Sequence, residues 1–240
     1  MIWLTGDLHG KHDLPKLDEF LETEGKNLTR DDYLIILGDF GMIFDADTRF
    51  GYRWEEERLN EYFEEKYPWT TLFIDGNHEN FAHLKQFPTK MWNGGRVNAL
   101  TKHCLWLRRG EIFQIEGHTF LTLGGAYSID KPWRRPQITW WPDEEISDGD
   151  IRHALLNLKQ HHNGVDYVLT HCAPYPVYFE IARQEGYDIS LNDVNEIRLQ
   201  QINEVIHFRR WYFGHYHIDR EFDGGKYLCM YKRIVPLHEL

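Results

Sequence analysis

The chain begins with MIWLTGDLHG, residues 1–10, and this stretch sets a pattern that recurs along the sequence. Ile2–Thr5 is a short apolar run that ends at a glycine, and such a run without polar alternation is typical of a strand buried on both faces. Asp7 and His9 follow at once, so two side chains that can bind a metal stand where the strand ends. In α/β sheets functional groups gather beyond the carboxyl ends of strands, because the loops there are free to carry them. The stretch therefore predicts one unit of an α/β sheet with polar groups at its carboxyl edge.

Four later segments repeat this arrangement, in which an apolar run is followed by a carboxylate, an amide or an imidazole. The runs and the residues that follow them are Tyr33–Leu37 with Gly38-Asp39, Thr71–Ile74 with Gly76-Asn77-His78-Glu79, Tyr167–Thr170 with His171, and Trp211–Phe213 with Gly214-His215-Tyr216-His217. Apolar residues at helical spacing lie between several of these runs, as at Leu14, Leu17 and Leu21. Strands that alternate with helices predict an α/β fold.

The middle and the end of the chain show a different pattern, with short strands and close turns. The candidate strands are Cys104–Leu107, Glu111–Ile115 and His118–Leu123 in the middle, and Glu221–Phe222 and Tyr227–Met230 at the end. Glycine-containing turns separate them, which predicts an antiparallel hairpin or meander and a terminal hairpin. The preferred fold is therefore α/β with two facing sheets, a β-sandwich flanked by helices. A single doubly wound sheet is the alternative.

Length and composition limit the kind of protein. The 240 residues contain no repeat, low-complexity tract or obvious linker, which favours a single domain over 1–240. A net charge of −11 disfavours tight binding to long nucleic acid, which needs many lysines and arginines to displace counterions. The three cysteines fit no disulfide framework, and no segment is long and apolar enough for a signal peptide or a membrane span. We therefore expect a cytoplasmic protein without a membrane anchor.

The five motifs together supply carboxylate, amide and imidazole groups, and this mixture suits a site for two divalent cations. Nitrogen and oxygen ligands without thiolates favour Mn²⁺ first, with Fe, Zn, Ni or Co as alternatives, whereas Mg²⁺ or Ca²⁺ would prefer oxygen alone. Each motif by itself has a simpler explanation, since Gly38-Asp39 is typical of a turn and Asn77 of a helix cap. The occurrence of all five in order, each at a strand end, favours a functional site.

The ordered motifs D-x-H, G-D, G-N-H-[DE], H and G-H-x-H, from Asp7 to His217, resemble those of the calcineurin-like metallophosphoesterases. The resemblance implies a two-sheet sandwich that hydrolyses a phosphate ester with hydroxide activated by two metals. It also implies these ligands: Asp7, His9 and His217 for one cation, Asn77, His171 and His215 for the other, and Asp39 bridging both. In this family the counterpart of His78 faces the substrate, so we expect His78 and the bridging Asp39 to be the catalytic residues.

Two departures from the phosphoprotein phosphatase branch of that superfamily bear on the substrate. That branch continues its second motif as G-D-x-x-D-R-G, whereas this chain reads Gly38-Asp39-Phe40-Gly41-Met42-Ile43. The arginine that follows the third motif in that branch is also missing after Glu79. Because such arginines clamp a terminal phosphate, their absence disfavours a phosphoprotein phosphatase. A phosphate mono- or diester, a nucleotide or another small phosphate compound, remains the expected substrate.

The loop Gly124–Arg135 is the candidate source of substrate contacts. It is rich in glycine and combines basic with aromatic side chains. We expect it to form one wall of the active-site mouth, with Arg134 or Arg135 binding phosphate and Tyr127 or Trp133 stacking on a base. The alternative is a surface loop whose tryptophans pack on the sandwich.

Two other functions stay open on the sequence. A nuclease would need a basic groove, and the chain offers only the arginine pairs Arg108-Arg109 and Arg209-Arg210. A catalytically silent module stabilised by metal would be expected to have lost a ligand or the motif histidine. All the expected ligands and His78 are present, which favours an enzyme.

Overall fold

The computed structural model describes residues 1–44, 53–187 and 194–237, in which thirteen strands form two sheets. The strands are β1 (Ile2–Thr5), β2 (Tyr33–Leu37), β3 (Thr70–Ile74), β4 (Thr89–Trp92), β5 (Gly95–Ala99), β6 (Cys104–Leu107), β7 (Ile112–Ile115), β8 (His118–Leu123), β9 (Tyr167–Thr170), β10 (Arg210–Phe213), β11 (Arg220–Phe222), β12 (Tyr227–Cys229) and β13 (Ile234–Pro236). The order is β13-β1-β2-β3-β6-β5-β4 in the first sheet and β11-β12-β10-β9-β8-β7 in the second. The two-sheet prediction is confirmed, and the alternative of one doubly wound sheet is wrong.

Six α-helices accompany the sheets in the described ranges, and two of these helices have a clear termination signal at one end. The helices are α1 (Leu14–Glu22), α2 (Arg53–Asn60), α3 (Phe81–Leu84), α4 (Asp148–Gln160), α5 (Tyr175–Glu185) and α6 (Val194–Asn203). At the start of α4, Ser147 and Asp150 form a reciprocal capping box, and Gly186 ends α5 in a left-handed conformation. None of the helices in the described ranges combines the length and the apolar character needed to cross a bilayer.

Alternate residues of each central strand pack into different cores, which explains the unbroken apolar runs. In β1, Leu4 packs between the two sheets, against residues such as Leu169 and Tyr212 of the second sheet. Trp3 points the other way, into a core that includes Leu17 of α1. A third core lies between the second sheet and helices α4, α5 and α6. The layers are therefore helix, sheet, sheet and helix, and the central strands are buried on both faces, as predicted.

The central strands of each sheet run parallel, which collects the strand ends at one edge. β1, β2, β3 and β6 pair in parallel in the first sheet. β8, β9, β10 and β12 do so in the second. Parallel strands present their carboxyl ends at the same edge of a sheet. The loops that follow β1, β2, β3, β9 and β10 are therefore close to one another.

The predicted meander in the middle of the chain is only partly correct. β7 and β8 form an antiparallel pair, but β6 belongs to the first sheet, where it lies parallel to β3. β6 is apolar on both faces, with Trp106 in the outer core and Leu105 between the sheets, and it fills an interior position of the first sheet between β3 and β5. The terminal hairpin is confirmed by the antiparallel pairing of β11 and β12. The β4–β5 hairpin, which turns at Asn93-Gly94, was not predicted.

Candidate metal centre

The five sequence motifs meet at the carboxyl edge of the two sheets, and their backbone is unusual there. His9, Asp39, His215 and His217 all have positive φ, at 45°, 44°, 70° and 54°. Non-glycine residues seldom adopt this conformation, and strain of this kind is concentrated at functional sites. The backbone N–H groups of Leu8 and His9 both donate to the carbonyl of Asp39, at 3.0 and 2.7 Å. These bonds tie the loop after β1 to the loop after β2.

The first group of converging side chains consists of Asp7, His9 and His217. Each offers one ligand atom, and these atoms lie within 4.8 Å of one another. Asp7 Oδ2 is 3.0 Å from His217 Nε2 and 4.0 Å from His9 Nε2. The ring of His217 also stacks on Tyr231, with centroids 4.5 Å apart. These are the three residues predicted to hold one cation.

The second group consists of Asp39, His171 and His215, with Asn77 beside them. The histidine and carboxylate atoms of this group again lie within 4.8 Å of one another. His171 Nε2 is 3.2 Å from Asp39 Oδ1 and 3.3 Å from the amide oxygen of Asn77. The structure thus brings together the residues predicted to hold the other cation.

Asp39 lies between the two groups. Its Oδ2 is 3.3 Å from His9 Nε2 in the first group, while its Oδ1 is 3.2 Å from His171 Nε2 in the second. Oδ1 also accepts hydrogen bonds from the backbone N–H groups of Asn77 and His78, both at 2.8 Å. The position fits a carboxylate shared by two cations, which remains a prediction.

Neighbouring groups fix the orientation of two of the imidazoles. His9 Nδ1 is 2.7 Å from Oδ2 of Asp13, and His171 Nδ1 is 2.7 Å from the carbonyl oxygen of Leu37. Nδ1–H is the natural donor to these acceptors, and this tautomer leaves the Nε2 lone pair facing the site. An orienting acceptor on the far nitrogen is a regular feature of histidines that bind metals.

The site contains the buried carboxylates of Asp7 and Asp39, whose negative charge must be compensated. Burial disfavours the charged form of His9 and of His171, but Asp39 outweighs it and raises the pKa of each to about 9. Burial likewise would raise the pKa of Asp39, yet His171 and His9 hold that pKa well below its usual range. Burial lowers the pKa of His215 to about 3, and the charge of His171 adds to the effect. In the protein without metal, two imidazolium groups thus compensate the buried carboxylates.

The chemistry of this site fits two divalent cations. Asp7 Oδ2 is buried and accepts no hydrogen bond, although His217 Nε2 lies only 3.0 Å away. A buried carboxylate oxygen without a donor is costly unless a cation satisfies it. The imidazole, carboxylate and amide ligands are those that first-row transition metals accept.

His78 and Arg134 form a pair at the mouth of the site. Both ring nitrogens of His78 lie 3.2 Å from Nη2 of Arg134. Nε of Arg134 pairs with Asp130 at 2.8 Å, and its Nη1 donates to the carbonyl of Asn77 at 3.3 Å. Burial lowers the pKa of His78, and the charge of Arg134 adds to this. The loop Gly124–Arg135 thus brings one arginine next to the histidine of the third motif.

The other three predicted substrate contacts differ in position. Tyr127 lines a cavity of about 630 Å³ that opens beside Asp39 and His78. Trp133 is 82% exposed and Arg135 is also exposed, and neither belongs to the cavity lining. The structure therefore brings Tyr127 and Arg134 to the site, but not Trp133 or Arg135.

Sequence reasoning missed a buried polar chain behind Asn77. The Asn77 amide donates to Ser128 Oγ at 3.1 Å, and the Ser128 hydroxyl donates to Glu144. Burial raises the pKa of Glu144 to about 7. Ser128 lies in the loop already singled out for its composition, whereas no local pattern marks Glu144. This chain of hydrogen bonds fixes the orientation of the Asn77 amide, with its nitrogen toward Ser128 and its oxygen toward His171.

Three tyrosines were missed as well: Tyr178, Tyr187 and Tyr216 line the cavity beside the candidate metal ligands. The hydroxyl of Tyr187 donates to the carbonyl of Tyr216 at 3.4 Å, and the rings of Tyr178 and Tyr216 stack at 6.0 Å. Tyr216 is the variable residue of the motif Gly214-His215-Tyr216-His217. This position between two predicted ligands was the sequence feature that could have marked it as a cavity residue.

Comparison with known proteins identifies the family. The family model described as calcineurin-like phosphoesterase matches residues 1–219. The chain belongs to the calcineurin-like phosphoesterase family. It is also similar to a lariat debranching enzyme of Schizosaccharomyces pombe, with 22% identity over 231 residues. That match covers 85% of this chain and 48% of the relative, so the chain spans about half the length of the curated relative it matches. The resemblance and the enzyme class, a metal-dependent phosphoester hydrolase, are confirmed at the level of the family.

Proposed function

We propose that this calcineurin-like phosphoesterase hydrolyses a small phosphate mono- or diester with two divalent cations, Mn²⁺ by preference. The observation that carries the proposal is the meeting of two ligand groups around Asp39, one with Asp7 and one with His171. Asp7, His9 and His217 would hold one cation, Asn77, His171 and His215 the other, and Asp39 both. Bound there, the cations would supply Lewis acidity and lower the pKa of a coordinated water.

His78 and Arg134 act on the substrate in this proposal. Asp130 and the carbonyl of Asn77 hold the guanidinium of Arg134 beside His78, and this fixed position supports a hydrogen bond from Arg134 to a phosphoryl oxygen of the substrate. His78 lies against Arg134 and next to the ring of His9, with ring centroids 5.6 Å apart. These contacts support a role for His78 in stabilising charge on the phosphoryl group or in protonating the leaving oxygen.

The walls of the cavity favour a substrate with a planar, largely apolar group. Its apolar lining consists of Tyr127, Ile129, Tyr178, Tyr187 and Tyr216, and its volume of about 630 Å³ suits a small molecule. Aromatic rings stack on planar groups such as nucleobases. We therefore propose a nucleotide or another aryl phosphate ester. A cytoplasmic location is consistent with the cysteines, because Cys104, Cys172 and Cys229 are all buried and free.

Hydrolysis of p-nitrophenyl phosphate and bis(p-nitrophenyl) phosphate tests the proposal. Protein stripped of metal should be inactive and should regain turnover with Mn²⁺, and the preferred ester should separate monoesterase from diesterase. Asp39→Asn and His78→Ala should each lower kcat at least about 100-fold, since each removes a group that acts on the reacting centre. Retained turnover in metal-stripped protein, or in both variants, would refute the assignment.

The similarity to a lariat debranching enzyme favours keeping a nuclease as the second candidate. The net charge of −11 opposes it, because sequence-blind binding of nucleic acid relies on positive charge. Competition assays with bis(p-nitrophenyl) phosphate distinguish the two. A nuclease should be inhibited by a single-stranded oligonucleotide at concentrations well below those of a mononucleotide, with inhibition that weakens steeply as salt rises.

A further inference from the structure

A second cavity of about 550 Å³ lies apart from the metal centre. It shares no lining residue with the cavity described above, and none of its lining residues is a proposed metal ligand. Four of its lining residues are lysine or arginine, namely Lys85, Arg96, Arg108 and Arg109, and two are aspartate. A basic lining is distinctive in a chain whose net charge is −11.

Arg108 differs from its neighbours because it has no carboxylate partner among the described residues. Its guanidinium lies 4.0 Å from the ring centroid of the buried Trp106, and Nη1 donates to Asn98 Oδ1 at 3.1 Å. By contrast, Arg109 binds Asp75 through both Nε and Nη2, and Arg96 Nε is 2.5 Å from Glu111 Oε1. The remaining donors of Arg108 meet no protein acceptor in the part of the chain that the structure describes.

The two aspartates of the lining are already engaged. Asp143 pairs with Lys85, while Asp150 caps α4 through Ser147 and lies 3.5 Å from Arg109. Burial lowers the pKa of Arg108 and the charges of Arg109 and Arg96 lower it further, while the carboxylates of Asp75 and Asp150 act in the opposite direction. Among the described residues of the lining, Lys85, Arg96 and Arg109 each form a direct ion pair with a carboxylate, whereas the guanidinium of Arg108 forms none.

We propose that this cavity binds the phosphate group of a small anion through Arg108. A guanidinium presents paired N–H donors that match the oxygens of a phosphate, and contact with the Trp106 ring and Asn98 restricts the movement of this one. Arg96 and His153 lie together at the same cavity, with Nη2 and Nε2 3.2 Å apart, and Thr89 adds a hydroxyl. The volume suits inorganic phosphate or a small phosphate monoester. The site does not depend on the metal centre.

Calorimetric titration of the metal-loaded protein with inorganic phosphate tests the proposal. Phosphate should bind at two independent sites, one at the metal centre and one at Arg108. Arg108→Gln should weaken the second site at least tenfold and leave turnover of aryl phosphates unchanged, because Arg108 lies outside the catalytic site. Arg209→Gln is the matched control: it removes the same charge from a residue that is half exposed and paired with Asp166, and should change neither site.

A second ligand identifies the class of anion, and a second variant keeps the test valid if Arg108→Gln does not fold. Methylphosphonate resembles a phosphate monoester but is not hydrolysed. If it binds at the Arg108 site, the site accepts a phosphate that carries an organic group. If it does not bind there, the site is assigned to free phosphate. Arg108→Lys keeps the charge but loses the paired donors, so it should bind phosphate with intermediate affinity even if Arg108→Gln fails to fold. Phosphate binding in the native protein that neither Arg108→Gln nor Arg108→Lys weakens would overturn the proposal, whether one site or two are found.

Discussion

At the scale of single residues, the raised pKa values of His9 and His171 predict how metal binding depends on pH. Both imidazoles have a pKa of about 9 without metal, and an imidazole must be neutral to coordinate. Binding at pH 7 should therefore release about two protons, and the apparent affinity should rise with pH and level off above about pH 9. Titrations of Mn²⁺ in buffers with different ionisation enthalpies measure the proton count. Affinity that is flat between pH 6 and pH 9 would contradict the prediction.

Ser128 should act on the metal through Asn77. Ser128→Ala removes the acceptor of the Asn77 amide and frees it to rotate, so metal affinity should fall about 10- to 100-fold, as is usual when an orienting partner is lost. Glu144→Gln is the control, because a glutamine can still accept from Ser128 and keep the chain intact. The two variants should differ in metal affinity measured by calorimetry. Equal affinities would mean that the hydroxyl does not position Asn77.

The proposed ligands could be picked out from the sequence, whereas the groups that support them could not. Asp7 and His9 stand two positions apart directly after an apolar run, so their roles are visible locally. Glu144 supports Asn77 only because the loop that carries it folds back over Ser128. No periodicity or spacing encodes such a contact, because it depends on the packing of distant segments.

At the scale of the elements, the turn after β2 depends on Gly38. Its φ is +94°, and an added Cβ would lie 2.1 Å from His171 Nδ1, so Gly38→Ala should displace the imidazole and abolish metal-dependent turnover. Gly117→Ala is the matched control: φ there is +82°, but no atom lies within 4 Å of the added carbon. That variant should lose about 1 kcal/mol of stability and keep its turnover. Activity assays beside thermal unfolding of both variants make the comparison, and equal losses of turnover would show that backbone strain alone is responsible.

Strand identity was easier to predict than strand pairing. The apolar runs of β1, β2, β3, β9 and β10 are evident because burial on both faces leaves an unbroken signal. The same signal occurs in β6, but the sequence does not say which sheet it joins, since both offer a buried position. In the β4–β5 hairpin, Thr89, Lys90 and Met91 are exposed, so the apolar alternation that marks a half-buried strand is weak.

At the scale of the whole molecule, the proposed metal ligands come from both sheets. Asp7, Asp39 and Asn77 follow strands of the first sheet, whereas His171, His215 and His217 follow strands of the second. Cations bound between them would link both halves of the sandwich, and a ligand that binds only the folded state stabilises it. At free metal about 100 times Kd, each site should add about 2.7 kcal/mol to the free energy of unfolding.

Removal of metal should therefore lower the Tm of the whole protein. For a chain of this size, a loss of about 5 kcal/mol corresponds to a fall of about 10–20 °C when a chelator empties both sites. His217→Ala should lose one cation, so chelation should lower its Tm by about half as much as in the native protein. Scanning calorimetry with metal analysis by mass spectrometry gives both quantities. If the Tm stays the same while both cations are shown to leave, the two sheets are held together by their shared apolar core alone, and the metals serve only the chemistry.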